Sequence, residues 1–357
     1  MKRFTFLVVL LLSQAVPLAA QQPSTLFYAD KSNVMFYLGP DGARHPVKST
    51  ADWQKRREHV LANMQLVMGP LPEATKKVPL DLQVVEQVDL PRATRKKILY
   101  RPEKGDRVPA YLFVPKGLKG RVPAMLCLHQ TISMGKGEPA GVNDRNDPYA
   151  LELAERGYVT IAPDYPNFGD YKCDPYAMGY ASATMKGIWN HIRGVDYLQT
   201  LPEVDPKRIG AIGHSLGGHN AIFVAVFDPR IKAVVSSCGF NAFPKYCGGN
   251  LAGWSHCGYM PRIAERYGKD PKRMPFDFTE LVAALAPRAF FTNSPLGDSN
   301  FEKSGVDDCI RAAAPVYDLF GARANFIAVY PDCQHSFPPE IRQAAYGFLD
   351  RVFQHKQ

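Results

Sequence analysis

The chain lacks the marks of several large function classes. It has no Cys-x-x-Cys pair and no His-Glu-x-x-His run, so its 7 cysteines and 9 histidines point to no metal site. It has no internal repeat, no low-complexity tract and no long run of like charge, which excludes repeat arrays and compositionally biased tails. Beyond residue 20, no stretch is long and apolar enough to cross a bilayer. No nucleic-acid-binding motif occurs, and the basic residues are scattered along the chain. Acid is in short supply: 34 Asp and Glu against 43 Lys and Arg give a formal charge of +9. That balance suits acidic ligands such as polyuronates, and it equally serves plain solubility.

What is present begins with an address. Lys2-Arg3 precedes a short apolar core at residues 4–12, and Pro17-Leu18-Ala19-Ala20 ends in small residues before Gln21-Gln22. This reads as a secretory signal peptide cut near Ala20, giving a periplasmic or secreted protein; an uncleaved anchor is the alternative. No cysteine follows the apolar run, which argues against a lipid anchor. Loss of Lys2 and Arg3 with the leader takes the charge from +9 to +7. All 7 cysteines remain, and an odd number leaves at least one unpaired in a monomer. Cys127, inside an apolar strand, is expected as a buried thiol. Cys247 and Cys257 flank a glycine-rich loop and are the first expectation for a disulfide.

Hydrophobic residues at 46%, including 20 phenylalanines, supply one large core with insertions across the 357 residues. Residues 21–77 read as an N-terminal extension. Its helix, at 51–68, places Trp53, Val60, Met64 and Met68 on one face and stops at Gly69-Pro70-Leu71-Pro72. β-rich segments at 80–85, 97–100 and 108–114 then suggest antiparallel strands. From there strands at 123–128, 158–162, 208–212, 233–237, 289–293 and 325–330 alternate with helices at 148–156, 184–199, 219–227, 305–320 and 339–353. That alternation predicts an α/β catalytic unit over 78–357: a mostly parallel central sheet with helices on both faces. Residues 240–278, rich in glycine, aromatics and proline, read as a lid-like or substrate-binding insertion.

The strongest motif is Gly213-His214-Ser215-Leu216-Gly217-Gly218, set between an apolar strand and a helix. Strand, tight turn and helix in that order make a nucleophile elbow, and Gly213 and Gly217 have a steric reason to be glycine. Ser215 is then exposed at a helix N-terminus, where free N–H groups favour an oxyanion. A serine nucleophile needs a base and a group that orients it. His335, in Asp332-Cys333-Gln334-His335, follows the last strand; His256 comes too early and His355 lies in the tail. Asp298 follows the preceding strand and is expected to hold the imidazole. Asp307 and Asp308 fall at a helix start, and Asp332 shapes the histidine's own turn. The oxyanion donors are expected to be the backbone N–H groups of Leu216 and Gln130, with a side-chain role for Gln130 left open. His214, His219 and Asp164 are expected to pack or stabilise turns. Trp254, Tyr259 and Arg262 are candidates for stacking on a sugar or holding a carboxylate, and equally for packing the insertion.

From about Trp53 onward the chain resembles bacterial α/β-hydrolases of the dienelactone-hydrolase and acetyl-xylan-esterase-like group. The likeness rests on Met68-Gly69-Pro70-Leu71-Pro72, Glu155-Arg156-Gly157-Tyr158-Val159, the elbow and the His335 turn. It implies an exported carbohydrate esterase that removes acetyl or methyl esters from plant polysaccharide. Dienelactone hydrolases proper use a cysteine where this elbow has Ser215, so dienelactone is not the expected substrate. The mechanism requires no cofactor and no metal. The expected partner is an ester-bearing small molecule or polysaccharide fragment, with no nucleic acid and no stable membrane insertion. Two competing readings are a prolyl-oligopeptidase-type peptidase, for which the segment before residue 78 is too short to hold a propeller, and a non-catalytic binding protein.

Overall fold

The computed structural model describes residues 26–142 and 146–356, so the expected leader lies outside it. The described residues open with a two-stranded ribbon, β1 (Phe36–Leu38) against β2 (Arg44–Pro46), and then α1 (Thr50–Met68). A capping box starts α1: Ser49 accepts from the Asp52 N–H while the Asp52 carboxylate accepts from Ser49. Trp53, Val60, Met64 and Met68 are all buried, as the periodicity predicts. Arg56 on the same helix is buried too, which its charge alone would not suggest. Its guanidinium lies 3.1 Å from the centre of the Tyr28 ring and pairs with buried Glu280. The N-terminal segment is therefore welded into the main core, not merely appended to it.

Among the described residues the main sheet has nine strands. β3 (Gln83–Asp89), β4 (Ala93–Tyr100) and β5 (Val108–Pro115) form an antiparallel meander. β6 (Val122–Leu128), β7 (Val159–Pro163), β8 (Val204–His214), β9 (Ile231–Ser237), β10 (Ala289–Asn293) and β11 (Phe326–Val329) run parallel, in the spatial order β3-β4-β5-β7-β6-β8-β9-β10-β11. β7 and β10 are buried along their whole length, as expected of parallel strands covered on both faces. β3 is the exposed edge and lies a few residues later than its apolar run predicts. Its register is set by pairing with β4, and Glu86 and Asp89 guard the open edge.

The helices divide between the two faces. α1, α3 (Ala183–Leu198), α4 (Leu216–Phe227), α6 (Phe278–Ala283) and α7 (Lys303–Leu319) contribute Met64, Ile188, Phe223, Leu281 and Val316 to one apolar layer. α2 (Tyr149–Glu155) and α8 (Pro339–Phe353) contribute Tyr149, Leu153, Tyr346 and Leu349 to the other. The insertion holds short turns and α5 (Arg262–Glu265); its Phe240, Phe243, Trp254 and Phe276 are buried in the first layer. No helix among the described residues is long and apolar enough to cross a membrane.

The expected Cys247–Cys257 disulfide is not formed. Both residues are exposed free thiols. They sit on separate turns: Cys247 has left-handed backbone angles inside its own tight turn, whereas the Cys257 carbonyl accepts from Tyr176. Cys127 is buried, as expected.

Candidate active site

The elbow is built by close approach of backbone to backbone. β8 ends at His214, α4 begins at Leu216, and Ser215 between them has φ 52° and ψ −115°. A non-glycine residue there is strained, and its neighbours hold it: the Ser215 N–H donates to the Ser237 carbonyl at 2.8 Å. A Cβ on Gly213 would lie 2.3 Å from the Gly217 carbonyl, and one on Gly217 would lie 1.8 Å from the Leu128 oxygen. Neither glycine has a positive φ, so the requirement is space and not backbone freedom. The turn leaves Ser215 partly exposed while both its chain neighbours are buried.

Asp298 and His335 meet on a stitched pair of turns. The N–H groups of Ser294, Leu296 and Gly297, after β10, donate to the carbonyls of Val329, Pro331 and Cys333, at and beyond the end of β11. His335 Nδ1 then lies 2.9 Å from Asp298 Oδ2. The other oxygen, Oδ1, accepts from the N–H groups of Asn300 at 2.9 Å and Phe301 at 3.0 Å. Burial alone would raise the Asp298 pKa, but these hydrogen bonds outweigh it and hold the carboxyl below its ordinary range. An anionic Asp298 requires Nδ1 to carry the proton, so Nε2 is the nitrogen that bears the lone pair in the neutral imidazole. The His335 ring lies 4.9 Å from that of His214, the residue before Ser215, and 5.8 Å from Phe301. The rival acids are engaged or exposed: Asp307 pairs with Lys303, Asp308 with Arg311, and Asp332 faces solvent. His355 packs edge-on against Tyr158 and touches the Arg156 carbonyl, far from the elbow in the fold.

The loop after β6 is fixed by a histidine that sequence reasoning passed over. His129 Nε2 accepts from the Tyr165 N–H at 2.9 Å, so its Nδ1–H donates to the Gln130 carbonyl at 2.6 Å. The Gln130 side-chain amide donates to Glu138, which accounts for its carboxamide as a loop contact. Leu216 is the first residue of α4, and its N–H has no carbonyl one turn earlier to receive it. Asp164 is a buried turn-builder, accepting from the backbone N–H groups of Lys136 and Asp170 and pairing with the Lys136 ammonium at 2.7 Å. His214 sits 2.9 Å from the Ser237 hydroxyl; burial first, then the charge of His335, pushes its pKa down to about 3. His219 is pushed to about 3 by burial and packs against Trp254 and Tyr259.

Of the three substrate candidates, Trp254 is buried among His219, Tyr246 and Phe278. Tyr259 is partly exposed, and its hydroxyl lies 2.9 Å from that of Thr131, joining the insertion to the loop after β6. Arg262 donates to the Leu66 carbonyl at 3.1 Å, in the last turn of α1, and so acts as a helix-end cap. Two further polar residues escaped notice. Asn293 and Ser237, at the ends of β10 and β9, are hydrogen-bonded at 2.8 Å beneath the site. Their only sequence signal is that each is polar and ends an apolar strand. Cys238 follows, its sulfur within 4.8 Å of the Asp298 and His335 donor atoms. Burial and the Asp298 charge push that thiol well up, so it stays protonated and donates to the Ser336 carbonyl.

Comparison with known proteins meets this geometry. Residues 108–247 match the Dienelactone hydrolase family, a span running from β5 through the elbow. The glucuronoyl esterase from Solibacter usitatus superposes with a TM-score of 0.69, at 19% identity, over 94% of this chain and 100% of that one. The chain has the α/β-hydrolase fold, and its centre is similar to the dienelactone-hydrolase group. Its class is that of the serine ester hydrolases. The Bacillus subtilis (strain 168) protein YtaP is 26% identical over 298 residues, 80% of this hydrolase and 96% of YtaP. Carbohydrate esterase MZ0003, from an unknown prokaryotic organism, is 24% identical over 190 residues, 48% of this chain and 41% of that protein.

Proposed function

We propose that this hydrolase is an exported carbohydrate esterase that cleaves acetyl or methyl esters, including esters of sugar acids, on plant cell-wall polysaccharide such as xylan or pectin. The observation that carries the reading is the Asp298–His335 pair, hydrogen-bonded at 2.9 Å on the turns beside the elbow. His335 Nε2 takes the proton of Ser215 as its oxygen attacks the ester carbonyl. The N–H groups of Leu216 and Gln130 receive the tetrahedral oxyanion. The intermediate collapses with cleavage of the C–O bond to the leaving alcohol, which takes the proton from His335. Water, deprotonated by the same imidazole, then releases the acid from the acyl-serine. Asp298 stabilises the imidazolium at both stages. Likeness over the full length of a glucuronoyl esterase favours a uronic acid as the acyl half.

Turnover of glucuronoyl methyl ester, acetylated xylan and aminoacyl chromogenic esters tests the reading. Ester hydrolysis by the wild type, abolished in a folded Ser215→Ala variant, is the expected result. Asp298→Asn is expected to lower kcat by roughly 10⁴-fold, as loss of the orienting acid does in other triads. Normal turnover in Ser215→Ala would overturn the mechanism, and preference for the aminoacyl substrate would favour a peptidase. N-terminal sequencing of the exported protein tests cleavage near Ala20.

A further inference from the structure

The end of the sheet opposite the elbow carries a cleft that the catalytic reading leaves unused. It has a volume of about 790 Å³ and is walled by the β3–β4 turn, the β5–β6 turn, the end of α2, the start of β8 and the C-terminal tail. Strand β6 runs from Val122 at the cleft to Leu128 beside Gly217, which separates the two sites by roughly 20 Å. Among the described residues, seven lysine and arginine side chains line the cleft, against a single carboxylate, Glu155.

Three of those cations are engaged elsewhere: Arg156 with Asp350, Arg208 with Asp205, and Lys116 facing Asp89 at 3.7 Å. The other four, Arg92, Lys119, Arg121 and Lys356, are exposed and form no ion pair among the described residues. Their frame is stiff. Arg208 ties the Phe353 carbonyl at the end of α8 to the Arg121 carbonyl in the β5–β6 turn, at 3.2 and 2.8 Å. His355 fastens the tail to the Arg156 carbonyl at 3.0 Å. Free cations on a fixed concave wall concentrate positive potential, and a guanidinium fork matches a carboxylate bidentately.

We infer that this cleft is a second, non-catalytic binding site for carboxylate-bearing polysaccharide. The choice of polymer rests on the carbohydrate-esterase reading, because removing methyl esters from a polyuronate leaves that anion. A concave groove fits a strand better than the flat surface of a bilayer. Holding the de-esterified stretch of a chain keeps its remaining esters at high effective concentration near Ser215.

The test uses fully de-esterified polygalacturonate, which the enzyme cannot cleave, with neutral dextran and anionic phospholipid vesicles as comparisons. At about 50 mM salt the wild type is expected to bind polygalacturonate and to bind it at least 10-fold more weakly at about 0.5 M, where the screening length is short. The variant Arg92→Glu/Lys119→Glu/Arg121→Glu is expected to bind at least 10-fold more weakly, with kcat on a small soluble ester unchanged. On partly methylated polygalacturonate its KM rises while kcat holds. Absence of wild-type binding, equal binding by the variant, or preference for the vesicles would overturn the inference. Failure of the wild type on small sugar esters would instead strike the esterase reading and leave the binding result standing.

Discussion

The side-chain amide of Asn293 donates to the carbonyl of Ser336 at 2.9 Å, the peptide oxygen immediately after His335. The same amide donates to Ser237, whose hydroxyl meets His214 beside Ser215. One buried amide thus links the strand ends that carry Ser215, Asp298 and His335. Asn293→Ala is expected to lower kcat about 10- to 100-fold with KM little changed, because sub-ångström misplacement of a base is felt mainly in the transition state. Steady-state kinetics beside thermal unfolding decide it: a lower Tm with an unaltered kcat would reduce Asn293 to a structural role.

Two glycine-to-alanine changes should behave oppositely. Gly217→Ala drives a methyl group into the Leu128 carbonyl, 1.8 Å away, and is expected to abolish soluble expression or Ser215 reactivity. Gly347 is exposed in α8 with nothing within 4 Å of a Cβ, so Gly347→Ala is expected to stabilise by about 0.5–1 kcal/mol. Denaturant midpoints of the two variants check both signs.

Folding stability should fall with acid well before the carboxylates titrate. His191, His214 and His219 are pushed down to about 3 by burial, whereas an unfolded histidine titrates near 6.5. Between those values the unfolded chain binds protons that the folded chain refuses, so stability drops as pH falls. Each histidine contributes roughly 1.4 kcal/mol per pH unit below about 6.5. The Asp298 carboxyl, held low, adds its own loss only below about pH 4. Urea midpoints at pH 7.5 and 5.0 test this, and equal midpoints would contradict it.

The buried Arg56–Glu280 pair predicts that α1 cannot be detached. Glu280 also closes the capping box of α6, with its carboxylate on the Asp277 N–H. Glu280→Gln leaves the guanidinium buried without its anion and is expected to cost about 3–5 kcal/mol. Calorimetry should show this as one lowered transition. Two separate transitions would mean that the N-terminal segment folds on its own.

Legible along the chain were the elbow, the expected order of Ser215, Asp298 and His335, and the alternation that makes a parallel sheet. Those features are local: a glycine pattern dictated by backbone contact, apolar runs of strand length, and turns that follow them. Some boundaries moved by a few residues, and β3 shifted further because pairing with β4 sets its register. Folding, and nothing legible along the chain, buried Arg56, set Arg262 on the end of α1, and brought Asn293, Ser237 and His129 to hold the site. It also gathered dispersed cations onto one cleft and kept Cys247 apart from Cys257. The physical reason is shared. A polar side chain's role depends on which strand ends and turns stand beside it, and the order β8-β9-β10-β11 sets those neighbours.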